Sequence, residues 1–71
     1  MKMQLTTQAH INSLNGKLDT VEIIAQRGDN DYIARYKGQF CSAIFNPFVC
    51  HFYVDDVYGI IPPQHVNAYT H

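Results

Sequence analysis

Between Val21 and Asp55 the chain leaves room only for tight turns. Four runs rich in β-branched and aromatic residues, Val21–Arg27, Tyr32–Lys37, Phe40–Phe45 and Cys50–Asp55, lie close together. They are separated by Gly28-Asp29-Asn30-Asp31, Gly38-Gln39 and Asn46-Pro47-Phe48-Val49. Gly, Asn, Asp and Pro are turn formers, and the runs have strand composition. Linkers this short join antiparallel neighbours, because a parallel link needs a crossover of about a dozen residues. The pattern therefore predicts an antiparallel meander over residues 21–55.

Turn length sets a register. With Asp29-Asn30 and Gly38-Gln39 as two-residue loops and residues 46–49 as a four-residue loop, Ala25, Ala34, Ala43 and Phe52 align. Ile23, Tyr36, Cys41 and Val54 form the next row, then Arg27, Tyr32, Phe45 and Cys50. This face reads as the core, with its mid-sheet alanines leaving space for a helix to lie across them. The opposite face places Lys37 between Glu22 and Asp55, beside Phe40, a favourable cross-strand arrangement. It also carries Ile24, Ile33, Ile44 and Tyr53, too apolar for a freely solvated surface. Either the C-terminal segment or another chain covers it.

The helix comes from the N-terminal third. Thr6 or Thr7 is placed to cap a helix through about Asn15, Gly16 sits at a C′ position, and Ile11, Leu14 and Leu18 follow i, i+3, i+7 spacing, although Leu18 lies past Gly16. The competing reading is an extended arm, because Thr and Asn are mediocre helix formers. The expected fold is α+β: a short N-terminal helix (6–15) packed on a four-stranded antiparallel meander (21–55), in a single domain spanning 1–71. A short fifth strand fits near Tyr58–Ile61, and a small SH3-like barrel is the alternative if the sheet curls. In the C-terminal extension (57–71), Pro62-Pro63 ends any strand and Pro63 opens a short helical turn to Tyr69. The last few residues are expected to fray.

A chain of 71 residues and 8.1 kDa should fold to roughly 4,500 Å² of surface, enough for one small core. Multidomain enzymes do not fit. The net charge is −1, with 5 Lys plus Arg against 6 Asp plus Glu, so duplex nucleic-acid binding through phosphates is disfavoured. The sequence holds neither a membrane-length apolar stretch nor a recognisable signal peptide, so a cytoplasmic location with free thiols and no membrane association is the expectation.

Few residues promise chemistry. Cys41, Cys50, His51, His65 and His10 are the residue types zinc prefers, but they lack metal-ligand spacing. The register pairs Cys41 with Val54 and Cys50 with Phe45, about 13 Å apart, so no metal and no cofactor are expected. Tyr53-Val54-Asp55-Asp56 matches the YxDD signature of reverse transcriptase palms over four residues, with no space for the rest of such an enzyme. The plainer reading is a strand ending in two solvated acids, with Asp55 facing Lys37. Cys50 and His51 point to opposite faces of a strand. Ser42, diagonal to His51, has no orienting acid and no oxyanion hole, so catalysis is not expected.

The five tyrosines and four phenylalanines read first as packing, and second as a binding surface, since Tyr offers large contact area at low entropy cost. The candidate protein-binding residues are Arg35, Tyr53, Ile33, Ile44, Phe40 and Phe48, the last at an apolar loop tip where it is either tucked under the sheet or a docking residue. An aromatic pocket with Arg35 or Arg27 would alternatively hold a small nucleotide by stacking.

The segments Asn30-Asp31-Tyr32-Ile33-Ala34-Arg35-Tyr36, Ala43-Ile44-Phe45-Asn46-Pro47-Phe48 and Tyr53-Val54-Asp55-Asp56-Val57-Tyr58-Gly59-Ile60-Ile61 resemble small proteins of phages and mobile elements, over about half the chain. That group includes anti-CRISPR inhibitors of bacterial immunity. The resemblance implies a non-catalytic inhibitor of a host defence complex, acting by occlusion or conformational trapping in the host cytoplasm. It transfers no functional residue, and a charge of −1 departs from the acidic DNA mimics of that class. The apolar second face would supply the contact or form a homodimer. The alternatives are a binder that sequesters a signalling nucleotide and a small structural or regulatory protein.

Overall fold

A computed structural model describes residues 2–70. It contains β1 (Lys2–Ile11), a 3-10 turn (Asn12–Leu14), β2 (Lys17–Gly28), β3 (Asp31–Tyr36), β4 (Gln39–Asn46), β5 (His51–Ile60) and α1 (Pro63–Thr70). Sequential strands pair antiparallel, and β1 pairs in parallel with β5 to close a five-stranded barrel. The closing seam consists of Ala9 opposite Phe52, His10 opposite Tyr53, and Ile11 opposite Val54.

The expected N-terminal helix on a four-stranded meander is overturned. Residues 6–11 are strand, and their burial has the strand period of two: Ala9 and Ile11 are fully buried while Thr6 and Gln8 are exposed. Thr6, Thr7 and Ile11 are also better strand than helix residues. Gly16 does mark a stop, but of the 3-10 turn. Asn15 and Gly16 both take positive φ, and the Gly16 N–H donates to the Ile11 carbonyl at 2.9 Å. Leu18, the third member of the supposed helical stripe, is 51% exposed on β2. The run at Cys50–Asp55 and the fifth strand expected near Tyr58–Ile61 belong to one element, β5.

Within the meander, the β2–β3 turn is as expected, with Gly28 opposite Asp31. The register then slips at Arg27 and again at Ile24, so Ala25 faces Ile33 and Ile23 faces Ala34. Such bulges bend a strand and raise its twist, which a long strand needs to wrap a narrow barrel. The β3–β4 turn is Lys37-Gly38, both at positive φ, as a type I′ hairpin requires. The β4–β5 loop is Pro47–Cys50. Both hairpins differ from expectation by two residues in pairing sum, which preserves faces. Lys37 thus lies in a turn, 5.4 Å from the Tyr36 ring centroid, and not between Glu22 and Asp55. Cys41 faces Ala34 and Ile60, not Val54, and Cys50 lies in the loop rather than opposite Phe45.

The main core joins Ala9, Ile11, Val21, Ile23, Ala34, Tyr36, Cys41, Ala43 and Val54, with Leu14, Tyr32 and Phe52 against it. The alanines do not make space for a helix. They let opposite walls of the barrel approach, as the interior of a small barrel demands. A second cluster, Ala25, Ile33, Ile61 and Val66, is flanked by Ile24 and Phe40. Here the C-terminal segment folds onto the sheet, anchored by the Ile61 N–H to Phe40 carbonyl bond at 2.8 Å. Val66 is the buried residue of α1, with Pro63 opening the helix. Tyr69 and Thr70 lie within α1, and His71 falls outside the described residues. The total surface is 4567 Å².

Tyr36 shows how the barrel handles a buried phenol. Its ring is in the core, 5% exposed, and its hydroxyl donates to Asp19 Oδ2 at 2.6 Å. That bond pushes the phenol up from 10.0 to about 12 and holds the Asp19 carboxyl below its usual 3.8, aided by the Thr20 N–H. The raised phenol favours folding fully below pH 10.0, and this contribution disappears as pH rises towards about 12. The lowered carboxyl favours folding above 3.8, and its contribution is lost as pH falls through its depressed value. A tyrosinate absorbance titration should therefore show a step near pH 12 that Tyr36→Phe removes. Persistence of that step in the variant would contradict the assignment.

Candidate functional site

The strand registers place Leu18, His10, Tyr53 and Ile44 in one continuous row across β2, β1, β5 and β4. Alternation puts this row outside the barrel: its inward neighbours Ala9, Ile11, Ala43 and Val54 are core, whereas Leu18, Ile44 and Tyr53 are 51%, 48% and 43% exposed. On these four strands the row carries no carboxylate, Lys or Arg; its next member, on β3, is Asp31, which pairs with Arg27. The row crosses the closing seam of the barrel.

The aromatic part of the row is fixed in place. The His10 and Tyr53 rings stack at 4.6 Å between centroids and 16° between planes. His10 Nδ1 lies 2.7 Å from the Gly16 carbonyl, which can only accept, so Nδ1 carries a proton. His10 Nε2 lies 2.8 Å from His51 Nδ1, and a single proton bridges the two rings. His51 extends the patch towards the β4–β5 hairpin, where Phe48 is 94% and Val49 49% exposed. Asn46 Oδ1 accepts the Phe48 N–H at 2.9 Å and holds that tip. A shallow cleft of about 340 Å³ runs alongside, lined by His10, Asn12, Ile44, Tyr53 and Asp55 among others.

The six residues singled out from sequence fall in separate places. Tyr53 and Ile44 are direct cross-strand partners on the exposed row, and Phe48 stands at the hairpin tip beyond it. Ile33 is fully buried under Ile61 and Val66, so in this fold it offers no surface to a partner, and Phe40 is partly buried against the same cluster. Arg35 lies opposite Glu22 and Phe40, and its guanidinium pairs with the Glu22 carboxylate. Phe40 and Ile44 are four positions apart on β4, roughly 13 Å, so Arg35 lies well away from Tyr53. His10, His51 and Leu18 are additions. The signal for His10 is its place between Ala9 and Ile11 in a period-two segment, which turns it outward.

The residues considered for chemistry take structural roles. Asp55 Oδ1 accepts the Asn12 amide at 3.0 Å and the N–H groups of Val57 and Tyr58 at 3.1 and 2.9 Å. These bonds, the Asn12 amide first, lower its carboxyl below 3.8. Asp56 accepts the Ser13 N–H at 2.9 Å and the Ser13 hydroxyl at 2.5 Å. The two acids therefore tie a bulge of β5 to the 3-10 turn, and Asp55 faces Ser42 rather than Lys37. Ser42 accepts from Arg27 and is not beside His51, whose strand partner is Asn46. Cys41 is buried, and burial pushes its thiol up to about 11. Among the described residues no group of three or more His, Cys, Asp or Glu is arranged to hold a metal, and no helix is long and apolar enough to cross a membrane.

Comparison with protein-family models, curated proteins and solved structures finds no match to this chain.

Proposed function

We propose that this chain is a non-catalytic protein-binding module whose contact surface is the row Leu18–His10–Tyr53–Ile44, extended by His51 and the Phe48 tip. The observation that carries the reading is the exposure of this apolar and aromatic row across four adjacent strands of a closed barrel. Rigid aromatic side chains flanked by aliphatic ones are the usual anchors of an interface, because they bury large area with little ordering cost. Here the His10–Tyr53 stack and the Gly16 and His51 bonds pre-order the centre. The four positions carry no Lys, Arg or carboxylate, and the row meets its first charge at Asp31 on β3, which fits a partner with an apolar centre and a polar rim. The resemblance to phage proteins supplies the target class, a defence complex in the host cytoplasm, which the chain would inhibit by occlusion.

Leu18→Ala, Tyr53→Ala and Ile44→Asp probe this surface without removing core atoms. Tyr53→Ala should weaken partner binding by about 30-fold, the effect of losing an anchor of roughly 2 kcal/mol, with the melting temperature little changed. Native mass spectrometry of the purified chain separates a free face from a self-associated one. A monomer leaves the row open to a foreign partner. A dimer that Ile44→Asp dissociates would show that a second copy covers it, and would overturn the assignment of this row to a target.

A further inference from the structure

A second concavity lies away from the row, between α1 and β5. After Asp55 pairs with Ser42, β5 bulges through residues 56–59 and rejoins β4 at Ile60 opposite Cys41. Pro62-Pro63 then turns the chain into α1. The space between helix and bulge is a cleft of about 550 Å³, a size ordinary for small-molecule sites. Ile60, Ile61, Pro62 and Ala68 give it apolar walls.

Its polar groups converge. Arg27, Ser42, Gln64, His65 and Tyr69 all line the cleft, and no carboxylate does. Arg27 Nη2 donates to Asp31 Oδ1 at 2.9 Å and to Ser42 Oγ at 3.3 Å, and Nε donates to the same carboxylate at 3.3 Å. These bonds orient the guanidinium. Among the described residues its Nη1 has no partner, so two N–H donors of a fixed fork remain for a ligand. Tyr69, 36% exposed at the last turn of α1, and His65 both line the cleft.

We propose that this cleft binds a small planar aromatic molecule bearing one anionic group, a carboxylate or a phosphodiester. Arg27 is already paired with Asp31, so what it offers is the two Nη1 N–H donors rather than an unpaired charge; these suit one anionic group, and no Lys lines the cleft to hold a polyphosphate. The anion takes the Arg27 Nη1 donors and the Gln64 amide, and the ring packs between Tyr69 and Pro62. The site shares no lining residue with the exposed row, so either proposal stands without the other.

The test is titration of the full chain with a 3′,5′-cyclic nucleotide and, separately, with indole-3-carboxylate, followed in 1H–15N NMR spectra. Neutral adenosine is the control. Saturable shifts confined to the α1 segment, Gly59, Arg27 and Ser42, with a Kd below about 1 mM for either anion, support the proposal and identify its source. Arg27→Gln should weaken that binding at least about tenfold. Tyr69→Ala, on the outer helix and remote from the Asp31 link, should weaken it about fivefold or more. The proposal is overturned if neither anion saturates, if adenosine binds as well, or if both variants bind like the parent.

Discussion

Ile11→Ala is expected to destabilise the chain by about 2–5 kcal/mol, whereas Leu18→Ala should change stability by no more than about 0.5 kcal/mol. Ile11 is fully enclosed by the barrel, next to Ala9 on the closing strand, while Leu18 is 51% exposed. A domain of 71 residues has roughly 4–11 kcal/mol of stability in total, so the first variant loses a large fraction of it. The melting temperature should fall by on the order of 10–30 °C. The pair discriminates between folds. If the helical i, i+3, i+7 spacing of Ile11, Leu14 and Leu18 carried past Gly16, Ile11 and Leu18 would share one buried stripe and their truncation would cost similar amounts. Equal losses in a denaturant titration would contradict β1.

Gly59→Ala should be the most damaging single-methyl addition, at about 2–3 kcal/mol. A Cβ at this position would sit 2.7 Å from the Asp55 carbonyl oxygen, 3.0 Å from Asp55 Cβ and 3.1 Å from Ser42 Cβ. The nearest of these atoms is backbone and cannot swing aside. Asp55 is itself held by Asn12 and by the N–H groups of Val57 and Tyr58, so relief requires opening the bulge. Gly16→Ala is a useful contrast. A Cβ there meets nothing within 4 Å, and the cost is that of a positive φ alone, about 1 kcal/mol. A thermal melt in which Gly59→Ala matches Gly16→Ala would show that the close approach at the bulge is not as described.

The hairpin half of the fold was legible because its turns are marked and its strands alternate. Reading Gly38-Gln39 for Lys37-Gly38 altered which residues are opposed but left Ala34, Tyr36, Cys41 and Ala43 facing inward. Two features had no such protection. The bulges at Ile24 and Arg27 carry no local mark, and they turn Ala25 and Ile33 into neighbours in the second cluster. The first strand was hidden because its parallel partner lies some forty residues away, in a seam of three residue pairs. Its own segment also carries a helical decoy in Ile11, Leu14 and Leu18 followed by Gly16.

The same errors governed the site. Tyr53 and Ile44 are legible as sharing the outward face because both sit on one marked hairpin, but their direct pairing follows only from the loop at Pro47–Cys50. Arg35 lies opposite Phe40 and Glu22, at the other end of β4 from Ile44, and pairs with Glu22. His10 could not join Tyr53 and Ile44 while residues 6–15 were read as helix. The Ile33–Phe40 half of the supposed second face is covered by the chain's own Ile61 and Val66, and the Tyr53–Ile44 half is left uncovered.

The proposed function requires that uncovered half to be a contact surface. Its most direct test places a photocrosslinking amino acid at Tyr53, and separately at Thr20 as a control, in cells that carry the chain. Crosslinking from position 53 to one discrete protein other than a second copy of the chain, abolished by Ile44→Asp and absent from position 20, is the predicted result. No product from position 53, or the same products from both positions, would contradict it.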